Sequence, residues 1–244
     1  MSYKLLDLFC GAGGCSEGYR SAGFEVTGVD IAFHKRYPKQ CSFIQADVMH
    51  LVNFSGFDVI HASPPCQAYS KASKYMRNKG FAYPDLIAPV REMLVKANCI
   101  YVIENVVGAP LINPIQLCGT SFGLGSTDLQ LVRHRLFECN VPLFVPPCQH
   151  SSKPAAGVYG KGTPTYQRKR LGRDALSNEC REVMGISWMS RAELSQAIPP
   201  AYTKYIGEQL IAELNRSRAI QPITQVGQNA EDRTSAAPAV QPVP

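Results

Sequence analysis

Lys4-Leu5-Leu6-Asp7-Leu8-Phe9-Cys10-Gly11-Ala12-Gly13-Gly14 is the stretch that decides the fold. Lys4 to Cys10 reads as a short apolar strand running straight into a glycine turn, and Ser16 to Ala22 has a helix-compatible pattern stopped by Gly23. Strand, glycine turn and helix open a nucleotide-binding βαβ unit. Working outward, Phe24 to Val29 supplies a second apolar run ending at Asp30. Phe43 to Asp47, Phe57 to His61 and Cys99 to Ile103 repeat the pattern. Strands separated by helix-length spacers predict an α/β, Rossmann-like doubly wound, mostly parallel sheet. Ligand groups in such sheets sit at the carboxyl ends of the strands. Asp30, Asp47, Ser63-Pro64-Pro65-Cys66 and Glu104-Asn105 all fall there.

The pattern changes after Glu138. Residues 1–138 read as the ligand-binding domain and residues 139–180 as a small irregular insert rich in Pro, Gly, Ser, Lys and Arg. Residues 181–215 read as helices returning to the first domain. Ser177 to Met184, Ser190 to Ala197 and Tyr202 to Asn215 have helical patterns. Residues 216–244 lack aromatics and leucine, so a disordered tail is expected.

Composition narrows the function classes. With 45% hydrophobic and 18% charged residues, the 244-residue chain can bury a sizeable core. Its apolar runs are far shorter than the ~20 residues a bilayer needs, and no signal peptide is read at the N-terminus. The nine cysteines form no CxxC pair. Reduced thiols in a cytoplasm and no metal site are therefore expected. The net charge of +6 suits a polyanionic partner.

Individual residues carry chemistry beside plainer readings. The glycine turn lets backbone N–H groups approach a ligand, or is simply a tight turn. Ser16 stands where the dinucleotide fingerprint has its third glycine, which argues against NAD and an oxidoreductase. Asp30 can accept hydrogen bonds from ribose hydroxyls. Asp47 can accept from an adenine amino group, or is a solvated strand-end acid. Pro64 and Pro65 stiffen the chain before Cys66 and so aim its thiol as a nucleophile would be aimed, whereas most cysteines are small buried apolar groups. Glu104 at a strand edge can act as a general acid or serve structure. Arg133 and Arg135 offer two guanidinium forks on one side of an extended segment, or a solvated basic face, with His134 opposite and packed.

Taken in order, Asp7-Leu8-Phe9-Cys10-Gly11-Ala12-Gly13-Gly14, Pro64-Pro65-Cys66-Gln67, Glu104-Asn105-Val106 and Arg133-His134-Arg135 resemble the motifs of the DNA (cytosine-5) methyltransferases. The resemblance covers roughly residues 4–138 and resumes near residues 181–210. It implies a class I methyltransferase fold that binds S-adenosylmethionine. Phe9 would stack on the adenine and Gly11, Ala12, Gly13 and Gly14 would hold the methionine portion. Asp30 with Ile31, and Asp47 with Val48, would hold the nucleoside, while Pro65 and Leu86 would line the pocket. Asp30 stands where many members have glutamate.

The resemblance also implies that Cys66 adds to carbon 6 of a flipped-out cytosine while protonated Glu104 donates to ring nitrogen 3. Arg135 would bind the cytosine carbonyl and Arg133 would support the active-site loop. Three departures stand out. Leu131 replaces the usual glutamine, Ser195-Gln196 replaces Gly-Asn so that Gln196 would take the asparagine's cofactor contact, and the recognition insert is short. Gln67, Ser70, Lys161, Arg168, Lys169, Arg170 and Arg173 are expected to face double-stranded DNA. An insert so short and basic predicts a phosphate-holding clamp and a recognition site of roughly two to four base pairs. A monomer in the cytoplasm of a prokaryotic or phage-infected cell, with a restriction-modification role, is expected. An RNA methyltransferase of the same fold and a catalytically silent nucleic-acid-binding homologue are the alternatives.

Overall fold

The computed structural model describes residues 2–51, 53–159 and 169–220. Seven strands form one sheet in the order β3-β2-β1-β4-β5-β7-β6. They are β1 (Lys4–Leu8), β2 (Glu25–Asp30), β3 (Ser42–Gln45), β4 (Val59–Ala62), β5 (Ile100–Asn105), β6 (Ile115–Leu117) and β7 (Arg135–Cys139). Strands β1 to β5 pair in parallel, while β7 runs antiparallel to both β5 and β6. The reversal matters for the site. It delivers Arg135, the first residue of β7, to the edge where β1, β4 and β5 end.

Side-chain alternation along the strands builds a core on each face. Leu5, Val26, Val59, Val102 and Phe137 point toward α1 (Gly14–Ala22) and the last helix, packing with Tyr19, Phe24, Tyr202, Ile206 and Leu210. Leu6, Leu8, Val29, Ile60, Ala62 and Ile103 point the other way, onto Val90 and Leu94 of α3 (Ile87–Ala97). Each fully buried leucine contributes ~1.5–3 kcal/mol. Helix α1 ends at Gly23, whose φ of 113° is open to glycine and costly for other residues. A short helix α2 (Lys74–Asn78) follows the Cys66 loop.

The C-terminal helices α4 (Ser177–Met184), α5 (Arg191–Gln196) and α6 (Pro200–Ile220) lie where the sequence pattern places them. Helix α6, however, runs five residues past the expected boundary at 215. Arg218 explains the extension, because its guanidinium lies 4.1 Å from the Tyr3 ring centroid and 3.7 Å from Asp58 Oδ1. The expected tail otherwise falls on residues 221–244, outside the described residues.

The insert packs against residues on both of its flanks. Leu129, Leu131, Ala156, Val158, Ala175, Cys180, Val183, Met184, Ile186, Met189 and Leu194 form a separate buried cluster. This second core draws on residues before 139 and after 180. Among its described residues the insert has no core of its own. Among the described residues, no helix is long and apolar enough to cross a membrane.

Candidate active site

The loop after β4 is held from three sides. Asn105 Nδ2, buried at the end of β5, donates to the Pro64 carbonyl at 2.9 Å. The N–H groups of Tyr69 and Ser70 donate to the Cys66 carbonyl at 3.0 and 2.8 Å, closing a turn directly behind the thiol. Arg77 from α2 donates to the Gln67 and Ser70 carbonyls at 2.6 and 2.9 Å. Neither Asn105 nor Arg77 was picked out from the sequence as a site residue. Asn105 lies inside the glutamate motif, so its place was readable, whereas Arg77 sits in a stretch without motif. Cys66 is half-buried, and that burial pushes its thiol up, reinforced by Glu104 and opposed by Arg135. The resting group is a thiol.

Glu104 occupies the end of β5, 6% exposed, with Arg135 Nε at 3.3 Å from its Oε1. Burial raises its pKa, while Arg135 and a hydrogen bond from Ser63 pull the other way. The net rise favours the protonated acid that the sequence reading requires. Behind Ser63 runs a buried chain, with Ser63 Oγ 3.0 Å from His61 Nε2 and Tyr19 OH 2.9 Å from His61 Nδ1. Burial drives the His61 pKa to about 3, so the ring is neutral. Cys66, Glu104 and Arg135 thus converge at the carboxyl edge of the central strands.

The glycine turn adjoins them. Gly11 has φ of +51°, and nothing lies within 4 Å of where a side chain would begin, leaving an open cradle. Its N–H donates to Asp30 Oδ2 at 2.9 Å, and Asp30 Oδ1 accepts from Ala32 N at 3.0 Å. Asp30 therefore locks the turn to the end of β2 and keeps further acceptor capacity. Phe9, Val48 and Leu86 pack into one apolar cluster beside the turn. Ile31 is exposed next to Asp30. The Asp47 Oδ1 atom caps the following 3-10 turn by accepting from Met49 N at 2.9 Å. Pro65 is half-buried ahead of Cys66. The Ala12 carbonyl accepts from Trp188 Nε1 at 3.0 Å, tying the turn to the second core. Gly14 packs on the segment after Gln196, where a Cβ would lie 2.5 Å from the Ile198 carbonyl. An open backbone cradle, an apolar wall and two acids at strand ends fit an adenosyl group carrying a charged amino-acid tail.

The sequence model of the family described as C-5 cytosine-specific DNA methylase matches residues 3–110, the span holding the glycine turn, Cys66 and Glu104. Over that span the chain is similar to the C-5 cytosine-specific DNA methylases. It is 31% identical over 131 residues to the type II methyltransferase M.AquIA of Picosynechococcus, covering 44% of this chain and 50% of that protein. To M.AgeI of Thalassovita gelatinovora it is 32% identical over 125 residues, covering 43% and 28% respectively. The aligned chain thus spans half or less of these relatives. Among solved structures, a DNA modification methyltransferase encoded within an E. coli prophage superposes with a TM-score of 0.58 at 15% identity, covering 88% of this chain and 100% of that one. The S. pombe Dnmt2 methyltransferase gives 0.57 at 14% identity, covering 87% and 99%. These likenesses show the class I methyltransferase fold.

Within the family's paired-arginine motif, the two guanidinium groups separate. Arg135 faces Glu104. Arg133 is buried and turned away, donating from Nη1 to the Val158 carbonyl and from Nη2 to the Ser195 and Ala197 carbonyls, each at 2.9 Å. Tyr202 OH in turn donates to the Arg133 carbonyl. Arg133 therefore spends its guanidinium on backbone carbonyls and does not face Glu104. It positions the insert and the segment beside Gly14, because five donors in a rigid fork can satisfy carbonyls from separate segments. Gln196 ends α5 and is exposed next to that segment. Leu131, where the family usually has glutamine, is buried in the second core. Gln130, one residue earlier, bonds the insert through the Ser151 carbonyl at 2.8 Å and Ser151 N at 3.0 Å.

The residues expected to face DNA are only partly free to do so. Gln67 lies in the Cys66 turn, and Ser70 caps the next 3-10 turn by accepting from Ser73 N at 3.2 Å. Arg173 is bidentate on Glu179 at 2.6 and 2.8 Å, and Arg170 donates to the Ser152 carbonyl at 2.8 Å. Arg173 is thus neutralised within the insert, contrary to the clamp reading. Lys169 and Arg170 are exposed. Lys161 and Arg168 lie outside the described residues.

Proposed function

We propose that this chain methylates carbon 5 of cytosine in double-stranded DNA, using S-adenosylmethionine. The observation that carries this reading is the convergence of Cys66, Glu104 and Arg135 beside the Gly11 cradle. Cytosine carbon 5 is unreactive toward an electrophile while the ring is aromatic. Addition of the Cys66 thiolate at carbon 6 breaks that aromaticity. Glu104, whose protonated form burial favours, donates to ring nitrogen 3 and stabilises the charge developing there. Arg135 holds Glu104 and orients the ring carbonyl. Phe9, Gly11 to Gly14, Asp30, Asp47 and Leu86 would hold the cofactor, which would supply the electrophilic methyl group. Transfer of the carbon 5 proton to a base, return of the nitrogen 3 proton to Glu104 and expulsion of Cys66 as thiolate restore the ring and free the enzyme. A stacked base hides carbon 6, so the cytosine rotates out of the duplex into the site.

The names of the type II relatives make a modification role beside a restriction enzyme the biological reading. The test is to incubate the chain with cofactor carrying a deuterated methyl and either duplex DNA or RNA, then digest to nucleosides for mass spectrometry. Deuterated 5-methyldeoxycytidine from DNA is the expected product. Label found only in 5-methylcytidine from RNA, or in neither polymer, overturns the proposal.

A further inference from the structure

We propose that Cys118, His134, Cys148 and His150 form a structural site for one tetrahedral zinc ion. Sulfur and ring-nitrogen atoms of all four lie within 4.8 Å of one another. Cys118 Sγ is 3.4 Å from His150 Nε2, and Cys148 Sγ is 3.6 Å from His134 Nε2. Zinc bonds of ~2.3 Å to sulfur and ~2.0 Å to nitrogen put tetrahedral neighbours roughly 3.3–3.8 Å apart. These two pairs already have that spacing.

The backbone explains the convergence. Leu117 pairs with Arg135 across β6 and β7, so Cys118 and His134, one step beyond that pair, stand opposite each other. Cys148 and His150 are two residues apart in a stretch without helix, so both can turn to one side. Gln149 N between them donates to Thr120 Oγ1 at 3.3 Å, and Gln130 holds Ser151 just beyond. Spacings of sixteen, fourteen and two residues hide such a set from any search for CxxC pairs.

The donor set points to the metal. Two thiolates and two imidazoles suit zinc and disfavour calcium or magnesium, which take oxygen ligands. Four protein donors leave no position for water, so the ion would serve structure. It would clip the loop after β7 to the sheet edge. It would also fix the backbone of His134, whose carbonyl accepts from Arg135 Nη1 at 2.8 Å. On binding, Cys118 and Cys148 each release a proton to solvent and the imidazoles bind neutral.

The test measures metal in the full chain as purified and, after chelator stripping under reductant, follows titration with Co2+. The expected result is one equivalent bound per chain, with the intense visible bands of tetrahedral cobalt and a near-ultraviolet thiolate band. Cys148→Ser and His150→Gln, on the exposed loop, should each abolish stoichiometric uptake while circular dichroism stays that of a folded chain. Cys66→Ser should retain uptake. If stripping unfolds the chain, its recovery on adding zinc supports the site equally. A folded protein that holds no zinc and takes up no cobalt overturns the proposal. So does uptake that survives both loop variants, or a Cys118–Cys148 disulfide in protein kept under reductant.

Discussion

Arg135 Nε lies 3.3 Å from Glu104 Oε1 although the two residues belong to strands of opposite direction. Glu104 is the last residue but one of β5 and Arg135 opens β7, so the antiparallel pairing brings an acid and a cation from distant sequence to one edge. The arginine opposes the burial that raises the acid's pKa. The pair sets an acid with a raised pKa beside the Cys66 loop.

The pH dependence of turnover follows from the two raised groups. The proposed chemistry needs the Cys66 thiolate and protonated Glu104, but burial raises both pKa values and the thiol's ordinary value is the higher. The active form is therefore a minority state. Turnover should rise with pH up to the Glu104 pKa, stay level, and fall above the Cys66 pKa. Glu104→Gln should lower turnover on the order of 100-fold. It should also remove the alkaline fall, so that the rate climbs until Cys66 ionises. A profile of unchanged shape would assign the acid to another group.

Stability against pH should show two opposing contributions from neighbours in register across β1 and β4, Asp7 and His61. Burial raises Asp7 from 3.8 to about 7, which stabilises the fold at low pH and loses that contribution as pH rises toward 7. Burial lowers His61 from 6.5 to about 3, which stabilises the fold above 6.5 and loses that contribution as pH falls toward 3. Each amounts to roughly 4 kcal/mol, and between about pH 4 and 6.5 they nearly cancel. Urea midpoints of the wild type should vary little there. Asp7→Asn should unmask a stability that rises with pH, and His61→Gln one that falls.

Arg133→Ala should weaken cofactor binding and lower stability by about 3 kcal/mol or more, since three carbonyls lose a charged donor. Its effect on single-turnover chemistry at saturating cofactor should be small. Calorimetric cofactor binding and rapid-quench methyl transfer separate the two. A variant with normal cofactor affinity and slow chemistry would assign Arg133 to the chemistry instead.

What the sequence made legible is local. The glycine turn, Asp30, Cys66 and Glu104 each end a strand or start a turn, so composition and period mark them, and their order supplied the family. The two roles of Arg133 and Arg135 were not legible. Both are arginines on an extended segment, and the carbonyls that claim Arg133 come from residues 158, 195 and 197. Ser16 looked like a broken fingerprint. In the fold its hydroxyl donates to Asp7 and accepts from Tyr37 OH at 2.8 Å, a contact that depends on a residue twenty-one positions away. The pairing of Arg173 with Glu179 was not legible either, because a charge count does not show which cations have an acid beside them.

The central claim is that Cys66 attacks carbon 6 of cytosine, and a duplex carrying 5-fluorocytosine tests it most directly. Fluorine cannot leave carbon 5 as a proton does, so methylation should leave the protein bonded to DNA. Denaturing electrophoresis should show a covalent complex only when S-adenosylmethionine is present, and peptide mass spectrometry should place the bond on Cys66. Cys66→Ala should form none. A stable adduct with that variant, or steady methylation of unmodified DNA by it, would contradict the account.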